Sequence, residues 1–199
     1  MNEVFKDITL PYVVRGYKIG NKGNLITNWK KNANQYKRVQ EDTWREHKKH
    51  AYHKGNKNVS SGKQYYQTKL NIAIDELQAQ TTHNYYQTHK NTTQLTVDVH
   101  RLVALHHIEL KPSNIIGLNI SDEEWNKTPE QLKIFLRECL HVNHKDNDSL
   151  NNDVDNLEFC NPKANNHHYY NNHFTEENKR EHRKKVLEGI NNKIKKDEQ

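Results

Sequence analysis

Apolar residues are sparse in this 199-residue chain, and they concentrate in short segments whose spacing predicts strands and helices. The segment YKIGNKGNLIT, residues 17–27, places apolar residues on either side of a glycine-containing centre, which is typical of two short strands joined by a tight turn. Residues 28–63 are rich in Lys, His, Asn and Gln and end in a stretch of Gly and Ser. That final stretch indicates a flexible loop, and we expect the segment as a whole to be an exposed arm.

Two further segments predict strands. Leu70, Ile72 and Ile74 alternate as in a half-buried strand, after which a helical tendency takes over. Residues 85–99 are expected to form a hairpin. The apolar positions that alternate along one of its faces are Leu95, Val97 and Val99.

Helical spacing predicts a buried helix over residues 100–110, HRLVALHHIEL. Capping boxes predict two more helix starts. They pair Ser121 with Glu124 and Thr128 with Gln131, and Pro129 would be the first helical residue of the second. Leu132, Phe135 and Leu136 would form the apolar stripe of that second helix. Residues 175–196 predict a charged helix whose apolar positions are Val186, Leu187, Ile190 and Ile194; docking and full solvation are both open for it.

The segment 141–162 predicts a β-hairpin followed by a helix. Residues 141–144 would close a first strand, residues 145–156 form a polar loop, and residues 157–160 return as the second strand. Asn161 and Pro162 are typical of a helix start, with an N-cap followed by proline at the first position.

Composition indicates a small core, because 32% of residues are hydrophobic and the mean hydropathy is −1.20. The net charge of +6 is uneven. Residues 28–66 hold 10 basic and 3 acidic side chains, whereas residues 111–160 hold 5 basic and 10 acidic ones. This layout suits an arm that contacts phosphates beside a centre that holds a cation, although solvated charge runs would look the same.

Two cysteines without a C-x-x-C spacing argue against a zinc ribbon and against a disulfide framework, so we expect two reduced thiols. No apolar stretch approaches the ~20 residues of a membrane span, and the first residues lack a signal-peptide core. We therefore expect a soluble, intracellular, cytoplasmic protein.

The hairpin and helix bring together side chains suited to hydrolysing a phosphodiester. His144 would end the first strand and face Asn165 in the first turns of the helix. A neutral imidazole with a pKa near ~6.5 is a competent general base. The amide oxygens of Asn143 and Asn165 suit one hard divalent ion, Mg²⁺ or Mn²⁺. Asn156 would tie the loop backbone and fix the imidazole.

The segments VDVHRLVALHH and VNHKDNDSLNNDVDNLEFCNPKAN resemble the HNH homing endonucleases of phages and mobile introns, which are ββα-metal nucleases. The resemblance extends over about residues 100–171 and, more weakly, to YKIGNKGNLIT. It implies an α+β fold, with His144 as the general base, Asn143 and Asn165 as metal-binding positions, Asn156 as the structural asparagine and His100 as scaffold. His168 is the reserve ligand if Asn165 does not bind the ion. The cleavage products would carry 5′ phosphate and 3′ hydroxyl ends.

The chain departs from the family in two places. Position 143 is often Asp or His in the family and is Asn here, which makes the site less negative. Residues 111–138 form an insertion whose expected role is either DNA contact or packing. The predicted domains are a β-rich, basic DNA-contacting region at 1–94, the nuclease module at 95–174 and a charged helix at 175–199.

The predicted partner is double-stranded DNA, and the predicted activity is that of a site-specific endonuclease. Two alternatives stay open: a DNA-binding protein that keeps an inactive HNH scaffold, and a restriction-type or nonspecific HNH nuclease. The residues expected to contact the phosphate backbone are Lys30, Lys31, Lys37, Arg38, Arg45, Lys48 and Lys49.

Overall fold

The computed structural model describes residues 2–10, 12–32, 35–38, 43–53, 64–80, 92–173 and 175–197. Within the chain, contacts define two compact units, Met1–Asn161 and Pro162–Gln199. The first unit holds three sheets, a two-stranded ribbon and four α-helices among its described residues, and the second consists of helices. Most strand pairs are antiparallel, and the helices are not interleaved with a parallel sheet, so the fold is α+β.

The first sheet contains the predicted glycine hairpin. Its strands, in the order in which they pair, are β1 (Phe5–Thr9), β2 (Val13–Gly20), β3 (Leu25–Thr27) and β6 (Arg45–His47). Strands β2 and β3 pair antiparallel with Tyr17 opposite Thr27, as the sequence predicts. Gly23 in the connecting turn has φ +78°, and a Cβ there would lie 2.7 Å from Cβ of Asn152. Glycine is therefore required both by the backbone and by the close approach of a second segment.

In its described part, the segment 28–63 predicted as an exposed arm forms β-strands, and more than half of its described side chains are exposed. Strands β4 (Trp29–Asn32) and β5 (Gln35–Arg38) form a two-stranded ribbon. Strand β6 joins the first sheet through β3, and β7 (His50–His53) pairs with a later strand. Long-range pairing thus orders β6 and β7, whereas β4 and β5 pair with each other, and local composition revealed neither arrangement. Residues 54–63 lie outside the described residues.

The second sheet has the order β7, β8 (Gln64–Ala73), β9 (Thr92–Asp98). Leu70 and Ile72 are buried in β8, as predicted, and Ile74 begins helix α1 (Ile74–Gln78). Strand β9 forms the second half of the predicted hairpin region, whereas residues 85–91 lie outside the described residues. Val99, predicted to continue the strand, instead begins the buried helix α2 (Val99–His107).

The insertion at 111–138 packs onto the fold through short elements. They are a 3₁₀ turn (Pro112–Asn114), strand β10 (Ile115–Ile116), and helices α3 (Asp122–Lys127) and α4 (Glu130–Cys139). The Ser121 and Glu124 capping box begins α3 as predicted. The second predicted box is wrong: Thr128 ends α3 and its hydroxyl donates to the Glu124 carbonyl, so α4 begins after Pro129 as N-cap.

The predicted apolar stripe of α4 does not form a buried face. Leu132 and Phe135 are exposed, at 48% and 59%, and Leu136 alone of the three packs against a core.

The third sheet is the predicted hairpin with one added strand. Strand β11 (His141–His144) pairs antiparallel with β12 (Leu157–Cys160), and β10 runs parallel to the other edge of β12. A 3₁₀ turn (Val154–Asn156) leads into β12. Helix α5 (Pro162–His173) begins where the Asn-Pro pair predicts, and α6 (Glu176–Asp197) follows it. The described residues include no helix with the length and apolar character to cross a membrane.

Two clusters of apolar side chains form the core of the first unit. The larger one joins the N-terminal sheet to the hairpin, because Tyr17 and Leu25 share it with Leu102 of α2 and Leu157 of β12. The smaller one joins Phe159 of β12 to Ile115 and Trp125 of the insertion. The hairpin is thus held between both clusters. The two cysteines form no disulfide with each other: Cys139 is exposed and Cys160 is buried.

Candidate active site

The register of the β11–β12 hairpin divides its side chains between two faces. His144 is opposite Leu157 and Val142 is opposite Phe159, and both apolar partners are buried. Asn143 is opposite Glu158 on the other face. Adjacent residues of a strand point to opposite sides, so the two neighbouring residues of the predicted site begin on different faces of the hairpin.

His144 is buried, with 6% of its surface exposed. Its Nε2 lies 3.3 Å from Oδ1 of Asn152. The ring of His100 on α2 lies 5.2 Å from that of His144, and the ring of Tyr65 on β8 lies 6.1 Å from it, measured between centroids. His100, expected to be scaffold, is thus a direct neighbour of the predicted base.

Asn156 organises the loop between the two strands. Its side-chain oxygen accepts from the backbone N–H of Asp146 at 3.1 Å. Its amide nitrogen donates to the Asp146 carboxylate at 2.9 Å and to the Asn151 carbonyl at 2.8 Å. The backbone N–H of Lys145 donates to the Asn156 carbonyl at 2.9 Å. These bonds close the loop directly after His144.

The Asp146 carboxylate accepts hydrogen bonds that help to close this loop. Partial desolvation raises its pKa, but hydrogen bonds from Asn151, from the backbone N–H of Asp148 and from Asn156 outweigh that effect, so the pKa lies below the ordinary value. Asp146 is therefore ionised at neutral pH and accepts hydrogen bonds from three groups of its own loop.

Asn143 contacts a carboxylate that sequence reasoning did not identify. Its amide nitrogen donates to Oε1 of Glu158 at 2.8 Å, which directs its carbonyl oxygen away from that carboxylate. A half-buried amide oxygen and a half-buried carboxylate are thus adjacent on one face of the hairpin. Hard oxygen donors of this kind fit a divalent cation such as Mg²⁺. Among the described residues no group of three or more His, Cys, Asp or Glu is arranged to hold a metal ion.

Asn165 and the reserve residue His168 lie on α5, in the second compact unit. They are three residues apart, which places them on neighbouring turns of one helix face. Both are half-buried. Asn161, predicted as the N-cap of this helix, donates through its side chain to the carbonyl of Gly117 at 2.7 Å.

The seven basic residues predicted to contact DNA lie on β4, β5, β6 and the β6–β7 connection. Lys30 is exposed, and it is directly opposite Lys37 in the β4–β5 ribbon, where Lys31 is opposite Tyr36. Lys48 is also exposed.

The remaining cations among those described contact the protein itself. Arg38 pairs with Glu76, and the Arg45 guanidinium donates to the carbonyl of Trp29. Lys49 donates to the carbonyl of Gly23 at 2.9 Å, and burial lowers its pKa. Lys30 and Lys48 are thus the described cations best placed to meet a phosphate.

Three side chains around His144 and Asn143 could not be found from the sequence. Asn152 is one of several asparagines in a polar run, and Tyr65 is distant in the chain. Glu158 lies opposite Asn143 in the β11–β12 pairing, and the sequence pattern alone did not specify that register.

Comparison with known proteins gives one similar structure. That structure describes DNA binding and cleavage by the HNH homing endonuclease I-HmuI. The TM-score is 0.41 and the identity 20%; the match covers 85% of this chain and 59% of the other. This chain thus spans about three fifths of the length of the protein it matches. No family model matches the sequence, and no curated protein matches it.

Proposed function

We propose that this protein is a DNA endonuclease of the HNH type that hydrolyses phosphodiester bonds in double-stranded DNA. The observation that carries the proposal is the loop between β11 and β12. His144 ends one strand, Asn156 closes the loop directly behind it, and α5 begins shortly after the second strand. These are the elements and residue positions that the HNH resemblance implies.

His144 is the proposed general base. It takes a proton from a water molecule while the water oxygen attacks phosphorus, and the bond from phosphorus to the 3′ oxygen breaks in line with that attack. The leaving oxygen takes a proton from solvent water and ends as a 3′ hydroxyl, and the phosphate stays on the 5′ end. Burial among Asn152, Tyr65 and His100 restricts the ring to one orientation, which favours a defined attack geometry over a mobile side chain.

Asn143 and Asn165 are the proposed ligands of one divalent ion, Mg²⁺ or Mn²⁺. The ion, when bound, stabilises negative charge on the phosphate and on the leaving 3′ oxygen. Glu158 adds the negative charge that Asn143 lacks, since its carboxylate lies within hydrogen-bond distance of the Asn143 amide. A Mg²⁺ site commonly uses one or two protein oxygens together with water and substrate phosphate, and the adjacent oxygens of Asn143 and Glu158 fit that pattern.

The β4–β5 ribbon and the β6–β7 connection are the proposed DNA contacts. Lys30 and Lys37 are cross-strand neighbours, and a two-stranded ribbon is narrow enough to enter a major groove. Phosphate contacts of this kind fix the register of the protein on a duplex without reading the bases. We propose a site-specific, homing-type enzyme, with base readout by other residues.

Plasmid cleavage tests the function. The native protein should cut supercoiled DNA in Mg²⁺ and stop when EDTA is added, and the ends should be ligatable because they carry 5′ phosphates. His144→Ala should slow cleavage by about 10²-fold to 10⁴-fold, the usual contribution of a general base. His141→Ala is the matched control, because His141 is an exposed histidine on the same strand.

The rival function is DNA binding by an inactive scaffold, and the 6% exposure of His144 favours it. If the native protein binds DNA but does not cut it in Mg²⁺ or Mn²⁺, the endonuclease proposal is wrong and the rival stands. A restriction-type or nonspecific nuclease would instead cut at many unrelated positions when the ends are mapped on a mixed-sequence genome.

A further inference from the structure

Asn152 is a buried polar residue whose side chain meets the proposed base. It is 3% exposed, and its Oδ1 lies 3.3 Å from Nε2 of His144. It belongs to the loop between β11 and β12 but makes a different contact from Asn156, which binds loop backbone and Asp146. The two asparagines therefore have separate tasks.

The amide orientation of Asn152 determines which nitrogen of His144 carries the proton. Nδ2 of Asn152 donates to the carbonyl of Leu150 at 3.3 Å, and a carbonyl can only accept. This contact directs Oδ1, also an acceptor only, toward the ring. An acceptor facing Nε2 favours the neutral imidazole that is protonated at Nε2.

The surroundings of Asn152 hold it in this position. The turn between β2 and β3 packs against it so closely that a Cβ on Gly23 would lie 2.7 Å from Cβ of Asn152. The same turn binds the loop through the backbone N–H of Val154, which donates to the Asn21 carbonyl at 2.8 Å. The β2–β3 turn of the N-terminal sheet thus packs directly against the loop that contacts His144.

We propose that Asn152 is the positioning residue of His144: it fixes the ring orientation and keeps the proton on Nε2, so that Nδ1 is the atom that accepts a proton from water. The proposal rests on the proposed function of His144 as general base. It assigns to Asn152 the orienting task that the sequence had assigned to Asn156.

Two substitutions that keep a side chain branched at Cγ separate a positioning role from simple packing. Asn152→Asp keeps an acceptor facing Nε2, whereas Asn152→Leu removes it. Under single-turnover conditions with saturating protein, the cleavage rate of Asn152→Leu should fall by about tenfold or more, the equivalent of one lost hydrogen bond in the transition state. Asn152→Asp should stay within about threefold of native. Affinity for DNA, measured by fluorescence anisotropy in EDTA, should change in neither. Asn119→Ala, at an exposed asparagine, is the control.

Nuclear magnetic resonance of the native protein gives a second measurement that needs no substitution at a buried site. With ¹⁵N-labelled histidine and the His144 ring assigned through its backbone, the ring should show the neutral form protonated at Nε2. The form protonated at Nδ1 would overturn the proposal, even if Asn152→Leu failed to fold.

The outcomes distinguish this inference from the proposed function. If His144→Ala cleaves DNA as well as the native protein, the general base itself is wrong and Asn152 has nothing to position. If His144→Ala is inactive while folded Asn152→Leu cleaves at the native rate, the function stands and the positioning role is wrong. Equal losses in Asn152→Leu and Asn152→Asp would also contradict it, since the acceptor would then be irrelevant.

Discussion

Replacing Asn156 by alanine should loosen the loop that follows His144. The substitution removes three hydrogen bonds, to the backbone N–H and carboxylate of Asp146 and to the carbonyl of Asn151. Each such bond contributes a net ~0.5–1.5 kcal/mol, and the lower half of that range applies because the loop is accessible to water. We therefore expect the free energy of unfolding to fall by about 2 kcal/mol.

Urea denaturation followed by circular dichroism measures this loss. With a slope of about 2 kcal/mol per molar urea, the midpoint should fall by about 1 M at an unchanged slope. Asn156→Asp is the informative companion, because it keeps one acceptor but sets a second carboxylate against Asp146. Its loss of stability should exceed that of Asn156→Ala at pH 7.

The pH dependence follows from Asp146, whose pKa is lower in the folded protein than in the unfolded chain. The stability it contributes is present above about pH 4 and is lost as the pH falls through the folded pKa. The gap between native protein and Asn156→Ala should therefore narrow on acidification below about pH 4. A native midpoint for Asn156→Ala at pH 7 would refute the reasoning, because the three bonds would then contribute nothing.

Four other predictions concern the core, the thiols, the cation and the DNA. Phe159→Ala, at a fully buried side chain, should lower the free energy of unfolding by about 3–5 kcal/mol, whereas Phe135→Ala, at an exposed one, should change it by less than about 0.5 kcal/mol; equal effects would contradict the assigned core. A thiol reagent at pH 8 should label Cys139 alone in the folded protein. Burial and, to a lesser extent, the charge of Glu158 raise the pKa of Cys160 to about 11. Rapid labelling of both thiols would contradict this prediction. Glu158→Gln should weaken Mn²⁺ binding about tenfold by calorimetry, and the exposed-site control Glu123→Gln should not; an unchanged affinity removes Glu158 from the cation site. Lys30→Ala should reduce the magnitude of the slope of log affinity for DNA against log salt concentration by about 0.9. Lys127→Ala, at another exposed lysine, should leave that slope unaltered. Identical slopes for the two variants would show that Lys30 does not contact a phosphate.

Local pattern predicted those parts of the fold whose signals are local. The glycine turn of β2–β3, the capping box at Ser121 and the helix start at Pro162 each depend on a few adjacent residues. Strands β6 and β7 were missed because they pair with distant partners, β3 and β8. The two-residue strand β10 has no periodicity to detect.

The candidate site was predictable in its residue types and less so in its contacts. The spacing of His144 and Asn156 implied a closed loop, and the loop is closed by Asn156. Which of the many asparagines turns inward to the ring depends on tertiary packing, here on the approach of Gly23 to Asn152. Roles at Asn143, Asn156 and Asn165 stay predictions until the variants are measured.

The shared apolar cluster of Tyr17, Leu25, Leu102 and Leu157 makes the hairpin dependent on the N-terminal sheet. Excising residues 95–174 for transplantation into another protein would strip half of that cluster from around Leu157 and leave a fragment prone to aggregate. Calorimetry of the intact chain should accordingly show the N-terminal sheet and the hairpin melting in a single cooperative transition. Grafting the loop between β11 and β12 into another protein would require the N-terminal sheet to be transferred with it.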